Sequence, residues 1–242
     1  MTSVDRQAAA EVARNLAALR QRIEGAAERA GRDPAAVTLV GAAKGQPPER
    51  LRAAAEAGLR AFGENRVQEA EAHREVLAGG PRLESIEWHL IGPLQSNKAK
   101  RAAELFSTVH SVDRLKIARH LDRAAGERGA VLDCFLEVNL ADEESKAGFP
   151  ARELAARVAP VAELRNLRVA GLMAIPPNPF DPEESRPWFR RLRELSEALA
   201  GRPEWPGWPG KLSMGMSADF EVAVEEGATH VRVGTALFGE RG

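Results

Sequence analysis

Lys44 closes the apolar run VTLVGAAK and is followed at once by Gly-Gln-Pro-Pro, residues that stop a strand and start a helix. At a buried strand rim, partial desolvation lowers an ammonium pKa and frees a neutral amine to attack an aldehyde. The segment alone reads more simply as a solvated lysine, so the nucleophile reading needs a second group that holds the aldehyde in place. Two segments offer a handle for a phosphate: Ser213 to Ser217 (SMGMS) before a helical stretch, and Gly234-Thr235 after a final strand. Both supply backbone N–H groups, small side chains and a helix start, where an anion is favoured. Ser217 is placed to cap that helix, Asp219 would oppose a nearby phosphate, and serine caps and glycine turns also occur in α/β proteins that bind no phosphate. Arg232 stands between Val231 and Val233, so alternation turns it away from them and into an enclosed interior. There it serves either a ring nitrogen or a salt bridge to a glutamate. Asn65, which ends the run FGEN, either bonds a ligand or caps the next helix.

These groups can act together only if the fold gathers strand ends. Apolar runs fall at 37–44, 60–64, 87–92, 108–112, 132–139, 167–174, 211–214 and 230–233, separated by segments of helical period rich in Ala, Glu and Arg. Eight such units predict an α/β fold, a (β/α)8 TIM barrel, with chemistry at the C-terminal ends of parallel strands. An open doubly wound sheet is the other architecture this rhythm admits. The 242 residues read as one domain, with residues 1–31 forming an extra amphipathic helix packed on the barrel. Gly58 and Gly227 are placed to end helices in left-handed geometry. The stretch 201–210, GRPEWPGWPG, predicts a loop on the lower face whose Trp205 and Trp208 fold onto neighbouring helices. Residues 176–187 follow a strand and so predict a loop on the functional face.

Thirty-four basic and thirty-five acidic residues leave a net charge of −1, too little for broad attraction to nucleic acid or an anionic membrane. Any anion must therefore be met locally. The single cysteine, Cys134, forms no internal bridge, and the N-terminal segment lacks the apolar stretch of a signal peptide or membrane span, so a cytoplasmic location is expected. The five histidines, His73, His89, His110, His120 and His230, show no short paired spacing, which argues against a metal-dependent hydrolase.

The segments VTLVGAAKGQP, AFGENRVQEA, WHLIGPLQSNKAK, VHSVDR, EVNLADEESKAGF, GLMAIPP, LSMGMSADFEVAVEEG and THVRVGTALFGER run through nearly the whole chain. Together they resemble the pyridoxal phosphate homeostasis protein family. The resemblance implies an alanine racemase-like barrel, pyridoxal 5′-phosphate (PLP) held as a Schiff base on Lys44, and a role in buffering or delivering the cofactor. By motif it places Ser213, Ser217, Gly234 and Thr235 on the phosphate, Arg232 beside the pyridine nitrogen, Asn65 and Met173 along the pocket, and His89 beneath it. An arginine there disfavours ring protonation and weakens the ring as an electron sink. Ala43 and Gly45 depart from the family pattern, which commonly has Ser and Thr flanking the lysine. Lys146 in ADEESKAGF is either a secondary PLP or transfer site or a solvated loop lysine.

The implied partners are PLP and apo PLP-dependent enzymes, with the chain a monomer. Alanine racemization uses acid–base groups on both faces of the substrate–PLP plane, commonly a lysine and a tyrosine, within an enclosure that an extra domain completes. This sequence contains no tyrosine and reads as too short for that domain, so a PLP-binding regulator is expected rather than an enzyme. Weak amino-acid racemization and a PLP-independent phosphate-binding scaffold are the alternatives.

Overall fold

The computed structural model describes residues 3–78, 85–143, 146–177 and 179–240. Its strands form one parallel ring. β1 (Thr38–Ala42) pairs with β2 (Ala61–Glu64), which pairs with β3 (Glu87–Leu90). The ladder continues through β4 (Thr108–Val112) to β5 (Leu132–Asn139), whose last two residues also pair with the short β6 (Phe149–Pro150). From β5 it passes to β7 (Leu167–Met173), β8 (Lys211–Ser213) and β9 (His230–Val233), and β9 returns to β1. The β4–β5 pairing closes eight strands into a barrel and decides against the open sheet.

Around the ring lie α1 (Ser3–Arg29), α2 (Pro48–Glu56), α3 (Val67–Leu77), α4 (Ala99–Leu105) and α5 (Leu115–Gly126). They are followed by α6 (Leu154–Val158), α7 (Arg186–Ala200), α8 (Phe220–Glu225) and α9 (Thr235–Phe238). Helix α1 buries Val12, Leu16, Leu19 and Ile23, a stripe at helical spacing, against α2, α8 and α9. The main core fills the layer between these helices and the outer faces of the strands. Among the described residues, two small apolar clusters lie inside the barrel, around Val40, Ala61 and Ile91 and around Phe135, Ala170 and Met173. The rest of the interior is polar, whereas barrel interiors are usually filled by branched aliphatic side chains.

Gly58 and Gly227, at φ +97° and +108°, end α2 and α8 as the sequence predicts. Trp205 is buried, Trp208 donates from Nε1 to Ser196 Oγ of α7 at 2.9 Å, and the two rings meet edge to face at 5.2 Å. Several strands end short of expectation, β3 at Leu90 rather than Gly92 among them, and one of these ends bears on the site. Strand β1 stops at Ala42, and Lys44 lies in a turn closed by Gln46 N–H donating to Ala43 O at 2.9 Å. Gly45, at φ +65°, sets that turn. The loop expected at 176–187 also shortens. Asp181 accepts from Glu183 N at 2.9 Å and opens a 3-10 turn, Pro182–Ser185, and α7 then begins with Pro187 in its first turn.

Candidate functional site

The C-terminal ends of the strands carry Lys44, Asn65, Ser217 and Gly234 on loops and Thr235 at the start of α9, with Met173, Ser213 and Arg232 on the strands just beneath. Lys44 is exposed rather than set in a buried rim. Its turn is braced from behind. His73 of α3 meets Glu64 of β2 at 2.6 Å and also bonds the backbone of Gln46. The bond to Glu64 raises the His73 pKa, while burial raises that of Glu64. Asn65 lines the same cleft as Lys44 and does not cap the following helix, whose N-cap is Arg66.

On the other side of Lys44, the β9–α9 turn approaches β1. A Cβ built on Gly234 would meet Ala42 only at 3.5 Å, ordinary van der Waals contact, and its φ is −107°. Neither sterics nor backbone geometry requires glycine at this position. Its bare backbone leaves an open cradle that a side chain would fill. Ser217 differs from expectation. Its Oγ accepts from Ala236 N at 3.3 Å and ties the β8–α8 loop to α9, while Asp219 occupies the N-cap of α8. Asp219 is buried and held by Met216 N at 2.7 Å and by Ser185 Oγ at 2.7 Å. Its carboxylate is thus committed to hydrogen bonds within the fold.

Below the mouth runs a buried polar chain. Arg232 donates to Ser213 Oγ at 2.6 Å and to Ala174 O at 3.0 Å. The expected alternative, a salt bridge to a glutamate, is not formed among the described residues. Ser213 Oγ lies 2.7 Å from His110 Nδ1, and His110 Nε2 lies 2.8 Å from His89 Nδ1. Because Ser213 accepts from Arg232, its buried proton finds its acceptor at His110 Nδ1. His110 then carries its proton on Nε2 and donates to His89, whose own Nε2 is left 3.7 Å from Glu87 Oε2. Ser213 was expected on the phosphate, but this chain commits its hydroxyl to Arg232 and His110. Met173 is fully buried against Phe135 and Ala170 inside the barrel.

Burial and neighbouring cationic groups push His110 well below the ordinary histidine value and His230 down to about 3. Burial lowers Arg232 to about 10, with Glu137 and Asp219 acting the other way. Burial, together with the nearby Asp113, raises Glu137 to about 7. Three of the five histidines therefore converge, although their spacing in sequence shows no grouping. The ring centroids of His89 and His110 lie 5.1 Å apart, and those of His110 and His230 5.6 Å. Among the described residues no group of side chains is arranged to hold a metal. Sequence reasoning missed His73, His110, His230 and Glu137. Period-two alternation places the last three inside the barrel, yet their partners lie on strands distant in sequence. Lys146, whose Nζ meets Glu143 Oε1 at 2.7 Å, lines a separate cleft near Glu137 and Met216.

The family model for the N-terminal domain of alanine racemase matches residues 14–242. The pyridoxal phosphate homeostasis protein of Aquifex aeolicus (strain VF5) is 45% identical over 221 residues, 91% of this chain and 94% of that one. Among solved structures, PipY of Synechococcus elongatus PCC7942, described as having PLP bound, has a TM-score of 0.81 at 39% identity, covering 94% of this chain and 100% of PipY. An alanine racemase of Clostridium difficile 630 has a TM-score of 0.72 at 14% identity, over 95% of this chain and 56% of the racemase. At that identity the likeness speaks for the barrel alone. With the barrel, the mouth and a close relative aligned over nearly its full length, the chain belongs to the pyridoxal phosphate homeostasis protein family, built on the fold of the alanine racemase N-terminal domain.

Proposed function

We propose that this chain binds PLP covalently through Lys44 and buffers or delivers it, rather than acting as a dedicated catalyst. The observation that carries the reading is the adjacency of an exposed lysine just beyond β1 and an open glycine cradle in the β9–α9 turn that faces Ala42. The residues fit the group: Lys44 would hold the aldehyde end, and Gly234, Thr235 and Ser217 would hold the phosphate. When bound, PLP supplies an electrophilic carbon that accepts amines and a ring that withdraws electrons. Arg232 keeps its proton, so a ring nitrogen held beside it would stay unprotonated and the withdrawal would be weakened. Asn65 lines the wall beside Lys44, while Met173 and His89 form the floor and Ser213 holds Arg232 in place.

The whole chain, 1–242, acts in this reading as one PLP-binding unit with residues 1–31 packed on the barrel. Apo PLP-dependent enzymes in the cytoplasm are its recipients, and it works as a monomer. The absence of tyrosine supports a non-catalytic role, because it removes the usual second proton donor. One observation favours weak racemization as a second reading: Glu137, raised to about 7, is poised for proton transfer near the mouth. Slow racemization of a free amino acid, lost in Glu137→Gln, would establish it, and rapid stereospecific turnover would overturn the carrier reading.

The test compares visible absorption of the purified protein with that of Lys44→Ala, followed by borohydride reduction and peptide mapping. The native chain should be coloured and carry a pyridoxyl adduct on Lys44, and the variant should be colourless. An adduct on another residue, or unmodified Lys44 at saturating PLP, would overturn the assignment.

A further inference from the structure

Away from the Gly234 cradle, the mouth opens beside Lys44 into a cleft of about 650 Å³. Four cations line it, Lys44, Arg66, Lys98 and Arg114, and no lining residue is Asp or Glu. Among the described residues, Lys44 and Lys98 have no ion-pair partner. Arg66 is 74% exposed and approaches Glu69 only at 3.9 Å, a contact of little worth in water. Arg114 pairs with its neighbour Asp113. Like charges in one cleft repel each other, so the arrangement opposes folding unless something neutralises it.

The placement of two of these cations sharpens the point. Arg66 and Arg114 are the N-cap residues of α3 and α5, and neither helix has a side-chain cap. Helix starts favour Ser, Thr, Asp or Asn, and a cation there faces the positive end of the helix dipole. Local rules broken together around one concave surface mark a site that serves a ligand. The amides of Gln68 and Gln95 add hydrogen-bonding groups, and Leu90 and Leu94 give the cleft an apolar wall.

We propose that this cleft binds a small organic anion carrying two or more negative charges, through carboxylate or phosphate oxygens, next to Lys44. It is a different place from the cradle at Gly234, which faces β1 from the β9 side. The inference deepens the reading of Lys44 as the PLP lysine by naming what enters beside it. The charges are nevertheless present without the cofactor, so the two readings can fail separately.

Calorimetric titration of the full chain, cofactor-free and PLP-loaded, with glutarate, glycerol phosphate and acetate tests it. At least one dianion should bind one to one in both forms, more weakly as salt rises, and acetate about 10-fold less tightly. Tighter binding of glutarate or of glycerol phosphate tells which oxygens the cleft prefers. Lys98→Gln and Arg114→Gln should each weaken the dianion about 10-fold while visible PLP absorption on Lys44 is retained. Lys98 lies on a short 3-10 turn, so its variant remains informative even if Arg114→Gln folds poorly. No dianion binding, or an affinity in both variants unchanged from that of the native chain, would overturn the inference. So would glycerol phosphate binding only to the cofactor-free form, since that marks occupancy of the Gly234 cradle. Loss of colour in Lys44→Ala with dianion binding weakened but still present supports both assignments independently.

Discussion

At the scale of single residues, the barrel interior trades aliphatic packing for neutral histidines, and this has a consequence for stability against pH. His230 is enclosed by His110 and Phe135, and its pKa falls from 6.5 to about 3 on folding. Between those values the unfolded chain binds the proton and the folded chain does not, so stability falls as pH drops below 6.5. Glu137 acts with the opposite sign. Its pKa rises from 4.5 to about 7, so its contribution is present at low pH and is lost as pH rises through that window. Urea unfolding of the native chain and of His230→Gln isolates the histidine. From about pH 6 to about pH 5 the native chain should lose on the order of 1 kcal/mol more than the variant. Parallel curves would mean that His230 is charged in the folded state. Alternation in the strand TVHSV already turns His110 inward, but its hydrogen-bond partners, at positions 89 and 213, become neighbours only when the ring closes.

At the scale of elements, α3 begins on a residue poorly suited to the place. Arg66 has the extended backbone of an N-cap, φ −136° and ψ 141°, and Glu69 stands three residues later. Arg66→Ser would complete the Ser-x-x-Glu capping box, in which each side chain satisfies the other's free N–H group. Stability in urea should rise by about 0.5–2 kcal/mol, while dianion affinity in the cleft falls. A gain in stability without a loss of affinity would detach Arg66 from the ligand. The eight strands were legible in the sequence because each is an apolar run bounded by turn residues, and the 201–210 loop because its prolines forbid a helix. The end of β1 was misread by two residues, since Gly45 reverses the backbone after a run that stays apolar through Ala43. The four-residue α9 and two-residue β6 are too short to carry a period. The placement of Lys44 and Gly234 beyond strand ends, and of Arg232 inside the barrel, was legible from chain position and alternation. The commitment of Ser217 to α9 was not, because Asp219, two residues on, competes for the same cap.

At the scale of the molecule, α1 reaches from the sequence start to the elements that carry the cradle. Its stripe covers α2, α8 and α9, and Asn15 Nδ2 donates to Leu237 O of α9 at 3.1 Å. The polar ties to α8, Arg22–Glu221 at 2.6 Å and Arg29–Glu225 at 2.8 Å, involve arginine side chains about half exposed, and contribute under about 1 kcal/mol each. The apolar stripe therefore decides whether α1 stays docked, and Leu16, at 1% exposure, lies within it. Leu16→Ala should cost about 2–5 kcal/mol, from lost transfer energy and the cavity left behind. Because the β8–α8 loop is joined to α9 through Ser217 and Ala236, the cradle should be lost in the same cooperative step as the helices. Circular dichroism and PLP absorbance, followed together in urea, should then give one shared midpoint, shifted down in the variant. A PLP transition that precedes the loss of helix would show the cradle opening on its own, and a cost below about 1 kcal/mol would show α1 only resting on a barrel stable without it.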